Sequence, residues 1–184
     1  MKRTRHCLSA VFASITLLCV IPLSKPLTAR PLATRYTVSF QTNTDMWCSS
    51  VGWGQPLTAD ASSRGEEEWF WLYDLNGGDL EDEDVVVLTT FWTSTAPRDH
   101  EGLSIIDSEA PVLFSEPTPL GSWPDHQWIL RTLDCDSCVI GDGTKLAIQN
   151  QTTGKYLTAV NGGGANVDAT ATSVGSNERF EISF

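Results

Sequence analysis

The side chains best suited to chemistry in this chain are aromatic and polar groups lodged in turns. Trp53 stands between Gly52 and Gly54, with Gln55 directly after it and Asp60 a few residues on. A tryptophan held in a glycine-flanked loop can offer its flat face to the apolar face of a sugar ring, while nearby amides and carboxylates take the hydroxyls. Trp123, beside Pro124, has a similar setting, and Asn161 opens the glycine run Gly162 to Gly164. Trp53, Gln55, Asp60, Trp123 and Asn161 therefore form a candidate ligand-binding set, whereas Trp92, at the end of an apolar run, is expected to fold back onto the body of the protein.

Cysteine and acid offer two further chemistries. Cys135 and Cys138 are separated by two residues, a spacing open to a zinc half-site, a redox pair or a short disulfide. No second Cys/His cluster of metal spacing follows and no strand-helix-strand context surrounds the pair, so a structural disulfide is expected and no metal or cofactor. Glu66-Glu67-Glu68 and Glu81-Asp82-Glu83-Asp84 could supply paired carboxylates for glycoside hydrolysis or oxygens for calcium. Charge runs in connectors are more often solvated faces, and the second run lacks the alternating ligand spacing of a calcium loop. Beyond the first 30 residues the histidines are His100 and His126, neither beside a Gly-x-Ser-x-Gly elbow, and the Gly162 to Gly164 run precedes no helix that would receive a phosphate. A non-enzymatic protein is expected.

The elements that must position these groups recur. Leu146 to Asn150 (LAIQN), then Thr152 to the C-terminus, repeat the order of Val38 to Thr42 (VSFQT) followed by Met46 to Leu72: a short strand, a glycine-rich turn, a second strand ending in Ala or Ser, a Gly, and a closing aromatic strand. Trp47 falls opposite Tyr156, Cys48 opposite Leu157, Leu57 and Ala59 opposite Val167 and Ala169, Gly65 opposite Gly175, and Phe70 opposite Phe180. Trp53 then falls where the last copy has the turn Asn161 to Gly164. A degenerate middle copy runs through VVLTTFW, LSII, VLFS, Gly121 and Trp128, with Leu113 and Ser115 matched to Val167 and Ala169. The copies span about residues 36–84, 85–134 and 139–184. Such a period means that no single unit can bury its own apolar face. The segments are short, rich in β-branched and aromatic residues, and bounded by Gly, Pro, Asn, Asp or Ser, so an all-β barrel or sandwich is expected. The acidic stretch Asn76 to Asp84 and the stretch Asp134 to Gly143 join the copies.

MKRTRH, the apolar run CLSAVFASITLLCVIPL and the small residues at Leu27-Thr28-Ala29 read as a secretory signal peptide over residues 1–29, leaving a single domain over residues 30–184. The full chain has 12 basic and 23 acidic residues, a net charge of −11. Removing the leader takes away Lys2, Arg3, Arg5 and Lys25 but no acid, so the exported form is more negative still. Such a surface repels phosphate backbones and anionic membranes, so neither nucleic acid nor membrane is an expected partner after cleavage. Export also places Cys135 and Cys138 in a compartment where disulfides persist. Asn150-Gln151-Thr152 is a glycosylation acceptor in a eukaryotic host.

GKYLTAVNGGGANVDATATSVGSNERFEI resembles the repeat of the fascin-like β-trefoil family, with the resemblance best over Thr144 to Phe184, fair over Tyr36 to Leu75 and poor over Val85 to Leu133. Ricin-type lectin trefoils are related, but their Gln-x-Trp positions here hold Glu68-Trp69-Phe70, His126-Gln127-Trp128 and Glu178-Arg179-Phe180. The resemblance implies a β-trefoil of three repeats: a closed six-stranded barrel capped by hairpins, with Phe70, Trp128 and Phe180 in a common core. Trefoils serve several functions, so function must be argued from a site. The expectation is a secreted, monomeric, lectin-like module that binds carbohydrate. The alternative is an extracellular protein-binding trefoil, a protease inhibitor or toxin-like effector, acting through the Pro-rich stretch Ser108 to Pro124. Actin bundling fits poorly, because crosslinking needs two separated sites.

Overall fold

In β1 (Thr34–Thr42) Val38, Phe40 and Thr42 point inward and are buried, while Thr37 and Gln41 face outward. The computed structural model describes residues 33–50, 54–91, 101–105, 112–117, 124–135 and 138–184. The proposed leader, Trp53, Trp92, Trp123 and most of Ser108 to Pro124 lie outside the described residues.

Six strands close a barrel. β1 pairs with β4 (Phe70–Asp74), β4 with β5 (Val85–Thr90), β5 with β8 (Trp128–Thr132), β8 with β9 (Lys145–Asn150), β9 with β12 (Phe180–Ser183), and β12 returns to β1, every pair antiparallel. Three hairpins cap one end: β2 (Trp47–Ser49) with β3 (Thr58–Ala61), β6 (Glu101–Ser104) with β7 (Leu113–Pro117), and β10 (Tyr156–Ala159) with β11 (Val167–Ala171). This is the β-trefoil, and closure leaves the barrel no unpaired sheet edge.

The threefold relation is visible in register and in hydrogen bonds. Each closing aromatic pairs with the last residue of a neighbouring barrel strand: Phe70 with Thr90, Trp128 with Asn150, and Phe180 with Thr42. In the cap, Leu57 N–H donates to the Val112 carbonyl at 3.0 Å, Val112 N–H to Val167 at 3.1 Å, and Val167 N–H to Leu57 at 2.8 Å, a ring of main-chain bonds about the axis.

That ring corrects one alignment. The middle-copy partner of Leu57 and Val167 is Val112, not Leu113, so Phe114 rather than Ser115 takes the place of Ala59 and Ala169. Val112 and Phe114 are fully buried while Leu113 is only half-buried. The one-residue slip inverts which side chains face the core, since strand side chains alternate. Phe114 fills volume that the alanines of the other copies leave: its ring stacks on Phe70 at 5.9 Å with the planes 12° apart.

Phe70, Trp128 and Phe180 are all core residues, as the repeats predict, and the Trp128 indole Nε1–H satisfies itself on the Leu103 carbonyl at 2.9 Å. Cys48 is buried among apolar side chains, and burial pushes its thiol up to about 12.

The acidic stretch Asn76 to Asp84 is more than a solvated connector. Leu80 is buried in the core, and its carbonyl accepts Ile140 N–H at 2.7 Å. Asp82 accepts Thr132 N–H at 2.8 Å, Asp84 accepts Glu81 N–H at 2.7 Å, and Glu83 pairs with Arg131 at 2.6 Å. Cys135 and Cys138 are joined by a disulfide, and the Cys138 carbonyl accepts Asp82 N–H. The two inter-copy connectors thus lock together across the barrel end opposite the cap.

Asp74 lies beneath this lid with no exposed surface. Its Oδ1 accepts Asn76 N–H at 2.8 Å, and among the described residues its Oδ2 has no hydrogen-bond partner. Burial holds its carboxyl above the usual range, against the pull of the Asn76 and Gly77 N–H groups; Asp84 is raised too, by burial first and then by Asp74. A carboxyl whose folded-state pKa is raised contributes stability that is fully present below its unfolded value and lost as pH rises through the folded value.

Two outcomes follow from this packing. Phe114→Ala should lower the unfolding free energy by about 3–5 kcal/mol in urea titrations, the usual range for emptying a buried phenylalanine site. Asp74→Asn, which keeps the Oδ1 acceptor and removes the ionisation, should raise Tm by a few degrees at about pH 7, with the gain vanishing at about pH 3.

Candidate functional site

The turn that enters each closing strand is built on a buried side chain. In the first and third copies Glu68 and Glu178 fold back so that Oε2 accepts the N–H of Gly65 and Gly175, at 2.5 and 2.7 Å. Both glutamates are buried, two positions before the closing aromatic. The clasp fits closely over glycine: a Cβ on Gly175 would stand 2.9 Å from the Glu178 carboxylate, so a larger residue there would push that side chain aside. The middle copy places His126 at this position, in the short 3-10 turn Pro124–His126, its ring tight against Gly102. Burial lowers the His126 pKa, opposed by Asp125. These are the positions where a ricin-type trefoil carries its glutamine, and here two of them are structural clasps.

The hairpin tips dock on these turns differently from copy to copy. In the third copy the fully buried Asn150 reaches across to the second: its Nδ2–H donates to the Asp125 carbonyl at 3.1 Å, and Gln151 N–H donates to Gln127 at 2.9 Å. Asn150 Oδ1 meanwhile accepts from Thr152 and Thr153 N–H, which holds its own turn closed. The first copy has Thr42 at the same register position. Among the described residues its shorter side chain bonds within its own turn, to Thr44 and Met46 N–H and the Thr44 hydroxyl. The joint that Asn150 seals between the third and second copies is therefore left open between the first and the third.

The opening is a cleft of about 490 Å³ lined by Gln41, Asn43, Asp45, Lys145, Arg179 and Glu181, with Thr42, Gly175, Ser176 and Phe180 completing it. That volume falls within the ~300–1,000 Å³ of small-ligand sites. Its two walls are preformed. On one side Asp45 adopts a left-handed backbone, φ 61°, with its N–H on the Thr42 carbonyl, and Gln41 Nε2–H donates to the Asp45 carbonyl at 3.1 Å. On the other, Arg179 Nε–H donates to the Gly175 carbonyl at 3.2 Å, which positions the guanidinium at the rim. Cross-strand register brings Glu181 beside both Gln41 and Lys145.

Trp47 stands cross-strand from Gln41, next to the cleft. Its ring is covered by Arg64, whose guanidinium also lies 4.5 Å from the Trp69 ring centroid and donates to Ser39 at 3.2 Å. A parallel arrangement places Arg35 over Trp71 at 4.0 Å. The surplus aromatics of the first copy are thus partly committed to arginine.

None of the described members of the predicted ligand set, Gln55, Asp60 and Asn161, lines the cleft. Gln55 is exposed beside Phe114, whose N–H meets the Gln55 carbonyl. Asp60 is exposed and accepts Thr58 Oγ1–H at 2.8 Å. Asn161 is exposed at φ 58° in the short turn Val160–Gly162, and Gly162 and Gly163 after it pack against Thr44 and Met46 of the first copy. That turn buttresses the Asn43 to Asp45 wall from behind. The cleft residues that sequence reasoning missed carry one local signal, the polar turn Asn43-Thr44-Asp45 at a copy joint.

No family model and no curated protein matches this sequence. Solved structures do match in fold. A designed threefold-symmetric protein, ThreeFoil, is similar over 80% of this chain and 98% of its own, at a TM-score of 0.59 and 18% identity. The SDF2-like protein from Arabidopsis thaliana is similar over 83% and 94%, at 0.60 and 13%. A Polyporus squamosus lectin bound to a human-type influenza-binding epitope is similar over 79% of this chain and 48% of its own, at 0.58 and 8%. At these identities the likeness is one of fold, and lectins are among the proteins that share it.

The clasp predicts a measurable loss. Glu178→Ala leaves the Gly175 N–H without its acceptor and should lower the unfolding free energy by about 1–3 kcal/mol in denaturant titrations, with Glu178→Gln losing less.

Proposed function

We propose that this chain is an exported, non-enzymatic carbohydrate-binding trefoil of the fascin-like or ricin-like kind, and that the cleft between its first and third copies holds the sugar. The observation that carries this reading is the cleft itself: a preformed opening whose rim combines two amides, two carboxylates, two cations and hydroxyls. Sugar hydroxyls both donate and accept, so they are held by such mixed sets, with carboxylates and amide oxygens accepting and amide and cationic N–H groups donating. The lectins among proteins of this fold add support.

Other groups weigh against catalysis. Glu68 and Glu178 are spent on backbone N–H groups, His126 is packed against Gly102 and biased toward its neutral form, and the Cys48 thiol is buried and held far from ionisation. The loop tryptophans Trp53 and Trp123 stay part of the proposal as candidate stacking groups for the sugar.

The test is a glycan array with the residue 30–184 domain, followed by calorimetry on the best ligand. Thr42→Asn, which installs the side chain that seals the equivalent joint, should leave Tm within about 1–2 °C and weaken binding at least roughly tenfold. A wild-type protein that bound no glycan would overturn the reading, and full binding by Thr42→Asn would move the site away from this cleft.

A further inference from the structure

The cleft's charges point to a narrower ligand class, an inference that rests on the carbohydrate reading above. The chain carries 12 basic against 23 acidic residues, a net charge of −11. Among the described residues, Arg35 lies over Trp71, Arg64 lies between Trp47 and Trp69, Arg131 pairs with Glu83, and Lys155 also has a partner. Lys145 and Arg179 stand apart. Lys145 is exposed, and among the described residues no carboxylate forms an ion pair with its ammonium, although Glu181 is its cross-strand neighbour. Among the described residues, the hydrogen bond of the Arg179 side chain is Nε–H to the Gly175 carbonyl, which leaves the end-on pair of N–H donors on its two terminal nitrogens uncommitted. Both line the same cleft.

We propose that the cleft takes a sugar bearing a carboxylate, a uronic or sialic acid, with the acid group on Arg179 and Lys145. A guanidinium anchored through Nε keeps a fork of N–H donors that matches the two oxygens of a carboxylate, and Lys145 adds a second positive charge beside it. Asp45 and Glu181 do not defeat this arrangement. They are acceptors without donors, suited to the ring hydroxyls, and Gln41 and Asn43 supply amide donors and acceptors alongside them. The long-range field of so acidic a protein repels anions, so the preference arises locally, from the two uncommitted cations.

The experiment compares galacturonic acid oligomers with the matching galactose oligomers, and sialyllactose with lactose, by calorimetry at about pH 7 and constant ionic strength. The acidic member of each pair should bind at least roughly tenfold more tightly, and Arg179→Gln and Lys145→Gln should each narrow that acidic-over-neutral ratio by about tenfold, whatever either costs the neutral sugar. Both residues are exposed, so Tm should hold in both variants. Equal affinity for acidic and neutral sugars, unaltered in the variants, overturns the acidic-ligand inference and leaves carbohydrate binding standing. Competition by inorganic sulfate as effective as the acidic sugar overturns it in favour of a bare anion site. Binding of no sugar at all overturns both.

Discussion

Three main-chain hydrogen bonds, from Leu57 to Val112 to Val167 and back, tie the cap hairpins into a ring, and the rest of the molecule is arranged around that axis. Each bond joins one copy to the next, so no copy can leave without breaking two of them. Beneath the ring the closing aromatics Phe70, Trp128 and Phe180 repeat the same register against Thr90, Asn150 and Thr42. A single copy has one apolar face and two unsatisfied strand edges; three copies satisfy one another. The constraint is mutual closure, and it explains why the middle copy tolerates so much drift. Phe114 in place of alanine, and His126 in place of glutamate, change the filling without breaking the circuit.

Local departures from the symmetry create the features that differ around the axis. Asn150 and Thr42 occupy one register position, yet the longer amide bridges to the next copy and the shorter hydroxyl cannot. One joint is sealed by side-chain and main-chain bonds, and the other stays open as a polar cleft. The far end of the barrel departs in another way. There the acidic stretch after β4 and the disulfide loop after β8 lock together, with Leu80 and Ile140 underneath and Asp74 buried with one oxygen unpartnered among the described residues. Burial raises the pKa of that carboxyl, because desolvation disfavours its charged form.

Much of this was legible in the sequence. The period, the short β-branched strands and the closing aromatics indicated an all-β closed repeat, and the resemblance carried by GKYLTAVNGGGANVDA indicated a trefoil. Cys135 and Cys138 were legible as a disulfide because their spacing lacked any metal or redox context. The middle copy was misread by one residue at Leu113, since nothing local distinguishes Val112 from Leu113 as the inward side chain in VLFS. The acidic run was read as a solvated face because charge alone does not reveal that Asp82 and Asp84 accept backbone N–H groups from other parts of the chain.

By itself the sequence determined the repeat, the strand grammar and the closing aromatics Phe70, Trp128 and Phe180, because these depend on periodicity and on side-chain volume, which are properties of neighbours along the chain. Only the tertiary structure decided where the cleft lies and which polar groups share it. Gln41, Asn43 and Asp45 belong to the first copy, Lys145, Arg179 and Glu181 to the last, and they meet because β12 returns to pair with β1. Whether that meeting leaves a hole depends on the reach of one side chain across a joint, a matter of ångströms between residues more than 100 positions apart.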